Sequence, residues 1–471
     1  MFAIYILAIL AAVYAILTRL PAIRKKLQQI QLVPEQQHVP ITSEDAYILR
    51  AKTLKSDHAT VISFQTLIET DGAGSWPPRA EHGPQWPSPL RPYHEIYRTL
   101  CSSLPCTANL DDDEANVCRC TEFRSRMAKL LRSHIDLTAV DSVLRGSTQE
   151  TEMSPAAWNG FLSCIAYSRH AFRWATIPIV KVTQATKFIE LPPELEVAWG
   201  FLCDRYQIHS PGGCIMSNHF GNFTDTGELV YKINEGMPDI VQRTEYNFMY
   251  SFVMMEKLSF PIYLHIVESI TLFDKGEKAQ CFYQTFITAK VSERVWLNHV
   301  QGFQGWAAGR IEHGEYVQYD GVQGGQTLMM QVVDAFLGMD AFLTKEASHR
   351  NVPYYQREFV ETIRRYAFRH RALKAGDQDI EQNMESISRI VQIFRISHRR
   401  TARKYLGADA PERKFMTSGE SVFQDFKGEA ARKDPLDHVD SLLTKRLNET
   451  KRSSRLCAER KEPIGPRDDG G

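Results

Sequence analysis

Apolar residues recur every three or four positions along most of this chain, which is the spacing typical of amphipathic helices. Ser154 followed by Pro155 predicts a helix start, and Pro261 predicts a kink within a long buried helix. The stretch 302–325 is rich in glycine and has no period, so it predicts a long loop. Alternation typical of strands is weak, so we predict an all-α fold. The main predicted helices cover residues 45–69, 123–143, 244–269, 326–339, 356–368 and 379–406.

The first 17 residues are apolar or aromatic without interruption, and basic residues follow them from Arg19 onwards. This order predicts an uncleaved membrane anchor over residues 1–22, in contact with lipid through residues 1–18. The positive-inside rule then predicts a single-pass protein of the endoplasmic reticulum membrane whose remaining mass faces the cytosol. A cleaved signal peptide and an ordinary core helix are the alternatives.

Changes in composition divide the remainder of the chain into four predicted regions. The predicted regions are a polar linker (23–44), a small helical domain (45–225), a large helical domain (226–409) and a mostly disordered charged tail (410–471) with one helix near 439–447. The chain has 56 basic and 56 acidic residues, so its formal net charge of zero gives no sign of nucleic-acid binding. Nine scattered cysteines argue against a disulfide framework and favour a reducing compartment. We expect a monomer.

His398 is the most informative single residue, because it falls at helical spacing with Val391, Phe394 and Ala402. That face is expected to point into a core, so the imidazole needs a partner for its ring nitrogens. One interpretation is a core histidine with ordinary hydrogen bonds. The other is an axial ligand to a haem iron, with Arg395 one turn earlier and able to reach a haem propionate. Spacing alone leaves both interpretations open.

Sequence signatures of covalent c-type haem, thiolate-ligated haem, dinucleotide binding and P-loops are absent. An ordered set of other motifs between residues 158 and 406 resembles the indoleamine 2,3-dioxygenase family. These motifs are Glu-Leu-Pro-Pro at 190–193, an aromatic and Met-rich segment at 248–256, Gly-Trp at 305–306, a Gly-rich segment at 321–327, Val-Asp-Ala-Phe-Leu-Gly at 333–338, Ser-His-Arg-Asn at 348–351, Phe-Arg-Ile-Ser-His at 394–398 and Arg-Lys-Tyr at 403–405.

The resemblance implies a haem b protein with a small N-terminal domain and a large helical domain. It implies that His398 is the proximal iron ligand, that Arg395 lies near the haem, and that Asp334 is the acidic partner of Arg395. It further implies that the loop containing Gly324 and Gly325 covers the pocket. Phe248 matches an aromatic residue of the distal, substrate-binding side.

Two positions depart from the pattern of the family. Val300 occupies the position at which family members carry an arginine that binds the substrate carboxylate. Losing that cation removes a charge-assisted contact on which recognition of a free amino acid depends. The distal serine position aligns with Phe252, or with Ser251 after a shift of one residue. Both departures place free tryptophan in doubt as the substrate and leave the predicted iron ligand unaffected.

The expected activity is cleavage of the C2–C3 bond of an indole by O2, with tryptophan or a tryptophan-derived secondary metabolite as substrate. No side-chain base is required, because the cofactor carries the chemistry and the protein supplies orientation. The alternatives are haem-dependent rearrangement or mono-oxygenation of an indole, and a haem-binding protein without catalytic activity.

Overall fold

The computed structural model describes residues 44–104, 112–146, 153–276, 293–306, 308–406, 441 and 443–451. The predicted anchor, and all of the predicted linker except residue 44, lie outside these ranges. None of the helices in the described ranges is long and apolar enough to cross a membrane.

The chain is mostly helical, which agrees with the all-α prediction. The helices before residue 220 are α1 (Glu44–Thr53), α2 (Ala59–Glu69), α3 (Arg91–Cys101), α4 (Asp113–His134), α5 (Leu137–Leu144), α6 (Pro155–Trp174), α7 (Lys181–Ala185), α8 (Pro193–Tyr206) and α9 (Ile215–Asn218). The later helices are α10 (Asp239–Asp274), α11 (Glu293–Trp296), α12 (Leu328–Phe336), α13 (Lys345–Asn351), α14 (Tyr354–Tyr366), α15 (Arg369–Ala375) and α16 (Gln378–Leu406).

Helix starts follow the sequence signals closely. Ser154 caps α6 through its hydroxyl, which accepts a hydrogen bond from the backbone N–H of Ala157 at 3.0 Å, and Pro155 is the first helical residue. Helix α10 runs for 36 residues and passes Pro261 without ending. The helix predicted over 45–69 is instead two helices, because His58 caps a new start at Ala59.

The glycine-rich stretch 302–325 is not entirely a loop, so that prediction was wrong for part of its length. It contains a two-stranded antiparallel hairpin formed by β1 (Gly309–Glu312) and β2 (Glu315–Gln318). Its two turn residues, His313 and Gly314, both have positive φ, which is the backbone conformation that two-residue hairpin turns require. The hairpin is short enough to leave the fold class unchanged.

Two large buried clusters form the interior, and helix α10 contributes to both. The first cluster packs around the fully buried helix α6, and Phe252 of α10 lies against it. The second cluster joins α2, the second half of α10, α12 and α14. Glu256, buried in α10, connects these elements by accepting hydrogen bonds from Trp76 Nε1 at 2.9 Å and from the backbone N–H of Met329 in α12 at 3.1 Å. The predicted domain boundary at 225/226 stays a prediction.

Candidate functional site

His398 lies near the end of α16. The residues one and two turns before it, on the same side of the helix, are buried. Val391 and Arg395 are buried there, whereas His398 itself is exposed to solvent. The expectation that the histidine itself is enclosed in a core was therefore wrong. The neighbouring Phe394 ring lies parallel to the imidazole at a centroid distance of 5.9 Å.

The exposure of His398 contrasts with its electrostatics. Burial lowers the pKa of this imidazole, and the positive charge of Arg395 lowers it further. The ring is then neutral at physiological pH. Neither ring nitrogen makes a hydrogen bond to the described part of the chain. A neutral, accessible imidazole is the form that binds a metal.

Arg395 and Asp334 form a buried ion pair one turn before the histidine. Nη2 of Arg395 donates to both carboxylate oxygens of Asp334, at 2.6 and 2.7 Å. Arg446, from the C-terminal helical segment 443–451, donates to the same carboxylate and also to Glu449 at 2.7 Å. Thr450 accepts from Nη1 of Arg395. We call these four charged residues, Asp334, Arg395, Arg446 and Glu449, the charged cluster.

The charged cluster changes the description of the predicted tail. Residues 441 and 443–451 are helical, overlap the helix predicted near 439–447, and bury Leu447 and Thr450 against the protein. Sequence reasoning did not find Arg446 as a partner of Asp334, because the two residues are 112 positions apart. The remainder of the predicted tail lies outside the described ranges, apart from Lys451 at the end of this helix.

The predicted substrate residues lie on the first half of α10 and on the segment after α11. The His219 ring lies against Phe252 at a centroid distance of 4.3 Å and against Phe248 at 5.7 Å. Trp296 lies 5.6 Å from the ring of Phe248. We call His219, Phe248, Phe252 and Trp296 the aromatic cluster. Three of these rings are half-buried, and His219 is fully buried.

Val300 lies beside this cluster within a π-helical turn, Leu297–Gln301. It is fully buried in a small apolar cluster with Met249. Single π-helical turns within α-helices are frequent at functional sites. Within the described chain, neither Arg310 nor His299 supplies a free cation in place of that arginine. Arg310 pairs with Glu312 at 2.6 Å, and burial lowers the pKa of His299, which keeps that ring neutral.

Ser251 does not offer a free hydroxyl proton to a ligand. Its Oγ donates to the backbone carbonyl of Phe248, one turn earlier in α10, at 2.6 Å. Two residues match the distal serine position of the family. Phe252 is aromatic, and the Ser251 hydroxyl is hydrogen-bonded within its own helix. This leaves His219, which sequence reasoning missed, as the polar side chain in contact with Phe248 and Phe252. No periodic pattern surrounds it in the sequence.

The glycine-rich loop contacts residues next to the charged cluster and residues next to the aromatic cluster. Gln326, which follows the two glycines, accepts a hydrogen bond from the backbone N–H of Ile215 at 3.0 Å, four residues before His219. A Cβ atom at Gly325 would lie 2.6 Å from the Phe342 ring, and the guanidinium of Arg446 lies 5.7 Å from the centroid of that ring. Nothing lies within 4 Å of a Cβ built at Gly324.

The structure thus brings the predicted site residues together in two groups. His398, Arg395 and Asp334 form one group, and Phe248, Phe252 and Val300 form the other. No hydrogen bond, ion pair or ring contact joins the described side chains of one group to those of the other. The glycine-rich loop reaches the neighbours of each group, through Phe342 beside Arg446 and through Ile215, four residues before His219.

Among the described residues, no three His, Cys, Asp or Glu side chains converge as in a metal site built from side chains alone. A haem iron needs one axial side chain from the protein, which a single histidine supplies. No protein-family model matches the chain, and no curated protein matches it.

Proposed function

We propose that this chain binds one haem b through His398 and uses O2 to cleave the C2–C3 bond of an indole. The observation that carries the proposal is the state of His398, whose imidazole is accessible, neutral and without a hydrogen-bond partner in the described chain. A histidine that only fills a core behaves differently here. His170 is fully buried, and its Nδ1 lies 2.6 Å from the Phe303 carbonyl oxygen.

Under this proposal, Arg395 is the residue near His398 that would bind a haem propionate. Arg395 supplies a buried guanidinium one helical turn away, where a propionate carboxylate would be bound. Asp334 and Thr450 fix this guanidinium in place through its terminal nitrogens. Arg446 supplies a second guanidinium to the same carboxylate. The charged cluster therefore holds two positive and two negative side chains, which balance one another inside the protein.

When bound, the haem supplies the oxygen chemistry, and the protein supplies binding, orientation and exclusion of water. Phe248 and Phe252 offer apolar faces against which a flat indole packs. Both atoms of O2 enter the product, an N-formylated ring-opened compound, so the overall reaction consumes no external electrons. No side chain is needed as a proton acceptor, which agrees with the neutral, apolar aromatic cluster.

The substrate that fits best is an indole whose carboxylate is masked, removed or part of a larger molecule. Val300 is buried among apolar side chains at the position of the carboxylate-binding arginine of the family. An unpaired carboxylate placed there would lose its hydration without gaining a cation, which costs free energy. The predicted anchor, which lies outside the described ranges, would bring the site close to lipophilic indoles in a membrane.

The proposal is tested by isotope labelling of the full-length chain reconstituted with haem and reduced. Tryptophan, tryptophan methyl ester and tryptamine are supplied under ¹⁸O2, and the products are analysed by mass spectrometry. Two labelled oxygens in an N-formylated product of the ester or the amine are expected, with less product from tryptophan. A product with one labelled oxygen, or with none, would indicate mono-oxygenation or rearrangement instead. Haem-loaded protein that consumes no O2 with any indole would indicate a binding protein.

A further inference from the structure

His219 is a fully buried histidine without a hydrogen bond at either ring nitrogen. Burial of polar nitrogens without partners costs free energy, so such groups need an explanation. Two other buried or half-buried histidines do have partners, whereas the half-buried His299 lacks one at Nδ1. His82 Nε2 lies 2.9 Å from the Gly221 carbonyl oxygen, and His94 Nδ1 lies 3.0 Å from the Tyr231 hydroxyl. His219 is therefore unusual within this protein.

The surroundings of His219 are aromatic and belong to the predicted substrate pocket. Phe252 stacks on the imidazole at 4.3 Å with a tilt of 31°, and Phe248 meets it edge-on at 5.7 Å. Both phenylalanines are only half-buried, so part of each ring is accessible. Because the Phe252 ring lies on the imidazole, the Phe252 side chain would have to shift for a ligand to reach a ring nitrogen of His219.

The protonation state of His219 determines whether its ring can accept a hydrogen bond. The Met249 carbonyl opposes the effect of burial on the pKa of His219, although the contact does not satisfy hydrogen-bond geometry. Burial nevertheless dominates and lowers that pKa to about 3, so the ring is neutral. A neutral imidazole has one N–H and one bare nitrogen. In either tautomer, one ring nitrogen of His219 presents a lone pair that can accept a hydrogen bond.

We propose that His219 recognises its ligand by accepting a hydrogen bond from a ring N–H of an aromatic molecule packed against Phe248 and Phe252. This inference rests on the proposed function, because it takes the aromatic cluster to be the indole-binding site. It adds a specificity: the bicyclic ligand must carry a free N–H. The missing cation at Val300 leaves this hydrogen bond as the polar contact that orients the ring.

The test compares the binding of indole with that of 1-benzothiophene, which has the same bicyclic shape but sulfur in place of N–H. Calorimetry is carried out on the full-length chain, with and without haem. The wild type is expected to prefer indole, and His219→Leu is expected to reduce this preference about ten-fold, equivalent to about 1.4 kcal/mol. His219→Gln, whose amide oxygen also accepts, is expected to recover much of it. His94→Leu, a matched change outside the cluster, is expected to leave the preference unchanged.

An unchanged preference in a folded His219→Leu protein would overturn the inference. Should that variant not fold, ¹⁵N NMR of the wild-type imidazole gives the same information. Indole, but not 1-benzothiophene, is expected to shift the resonance of the bare ring nitrogen, and equal effects of the two compounds would again overturn the inference. Failure of the proposed function looks different, because the preference would then persist in protein that binds no haem or yields no labelled product.

Discussion

Asp334 is the carboxylate that pairs with both buried arginines beside the predicted haem site. Its buried carboxylate accepts hydrogen bonds from both Arg395 and Arg446, which are themselves buried. Removing one partner of a buried charge network leaves the other charges without compensation, and this is more costly than the loss of the contact alone. Asp334 is shared by two guanidinium groups, so its loss affects both.

We expect Asp334→Ala to lower the free energy of unfolding by about 3–5 kcal/mol, because two buried arginines lose their counter-ion. Urea unfolding of the variant and the wild type measures this change. Asp340→Ala, which alters an exposed carboxylate six residues later, after the end of α12, is the control and is expected to change stability by less than about 0.5 kcal/mol. Equal effects of the two substitutions would contradict the role given to Asp334.

For single residues, the sequence predicted which side chains pair better than it predicted which side chains are buried or exposed. The resemblance led us to expect Arg395 beside Asp334, and the structure places the two residues in contact. It gave no indication that His219 lies unpartnered against Phe252, because such a contact depends on how a non-periodic loop folds back onto α10. The exposure of His398 could not be predicted either, since helical spacing gives the side of a helix but not what lies opposite it.

Among the elements, the segment 443–451 was predicted as a helix near 439–447, but its docking onto the protein was not predicted. It returns to the body of the protein after the undescribed residues 407–440 and inserts Arg446, Leu447 and Thr450 into buried positions. The guanidinium of Arg446 also lies over the ring of Phe342, and Gly325 packs against the same ring. The segment therefore supports both the charged cluster and the glycine-rich loop.

We expect Arg446→Ala to release this segment from the protein. Asp334 keeps Arg395 in the variant, so the loss of stability is expected to be smaller than for Asp334→Ala. Amide hydrogen exchange in residues 443–451 is expected to become markedly faster, because the helix loses its buried anchor. Lys445→Ala, which changes the exposed neighbouring residue, serves as the control. Unchanged protection in Arg446→Ala would show that the contact does not hold the segment in place.

Element starts could be predicted from local signals, and the short hairpin could not. Ser154 and Pro155 specify the start of α6 by capping and by a fixed φ, both of which act within one turn. The strands β1 and β2 lie in a glycine-rich stretch that lacks a helical period, and the turn residues His313 and Gly314 were the signal available there. Docking of the segment 443–451 depends on charges more than a hundred residues away, which no local pattern reveals.

In the molecule as a whole, two buried carboxyl groups link stability to pH. Burial raises the pKa of Asp71 from 3.8 to about 7, and burial raises that of Glu245 to about 7 as well. Between the pKa of the unfolded chain and that of the fold, the folded state keeps protons that the unfolded chain has lost. These groups therefore stabilise the fold at acidic pH, and their contribution is lost as the pH rises through about 7.

We expect Asp71→Asn to remove one contribution that lowers stability as the pH rises from about 4 to about 7. Each proton held only by the folded state contributes a slope of up to about 1.4 kcal/mol per pH unit, and the amide cannot titrate. Chemical unfolding at several pH values measures the slope for the wild type, for Asp71→Asn and for the exposed control Asp57→Asn. A variant with the slope of the wild type would contradict the assignment, while the slope due to Glu245 is expected to remain.

The overall fold class followed from the sequence, because helical periodicity is repeated in many long segments and is insensitive to errors at their ends. The arrangement of the helices could not be predicted from the sequence. It depends on contacts between distant residues, such as that of Glu256 in α10 with Met329, 73 residues away. The predicted membrane anchor and the haem itself stay predictions. Of these, the proposed haem would determine the chemistry of the whole molecule.

The most direct test of the central claim is haem binding by His398→Ala in the full-length chain, measured as haem content and as the Soret absorption band. Wild type and His370→Ala, a change to another exposed histidine, are expected to bind about one haem per chain. His398→Ala is expected to lose most of this haem or to show an altered band, because the axial nitrogen is gone. Full haem content with an unchanged spectrum in His398→Ala would contradict the proposal.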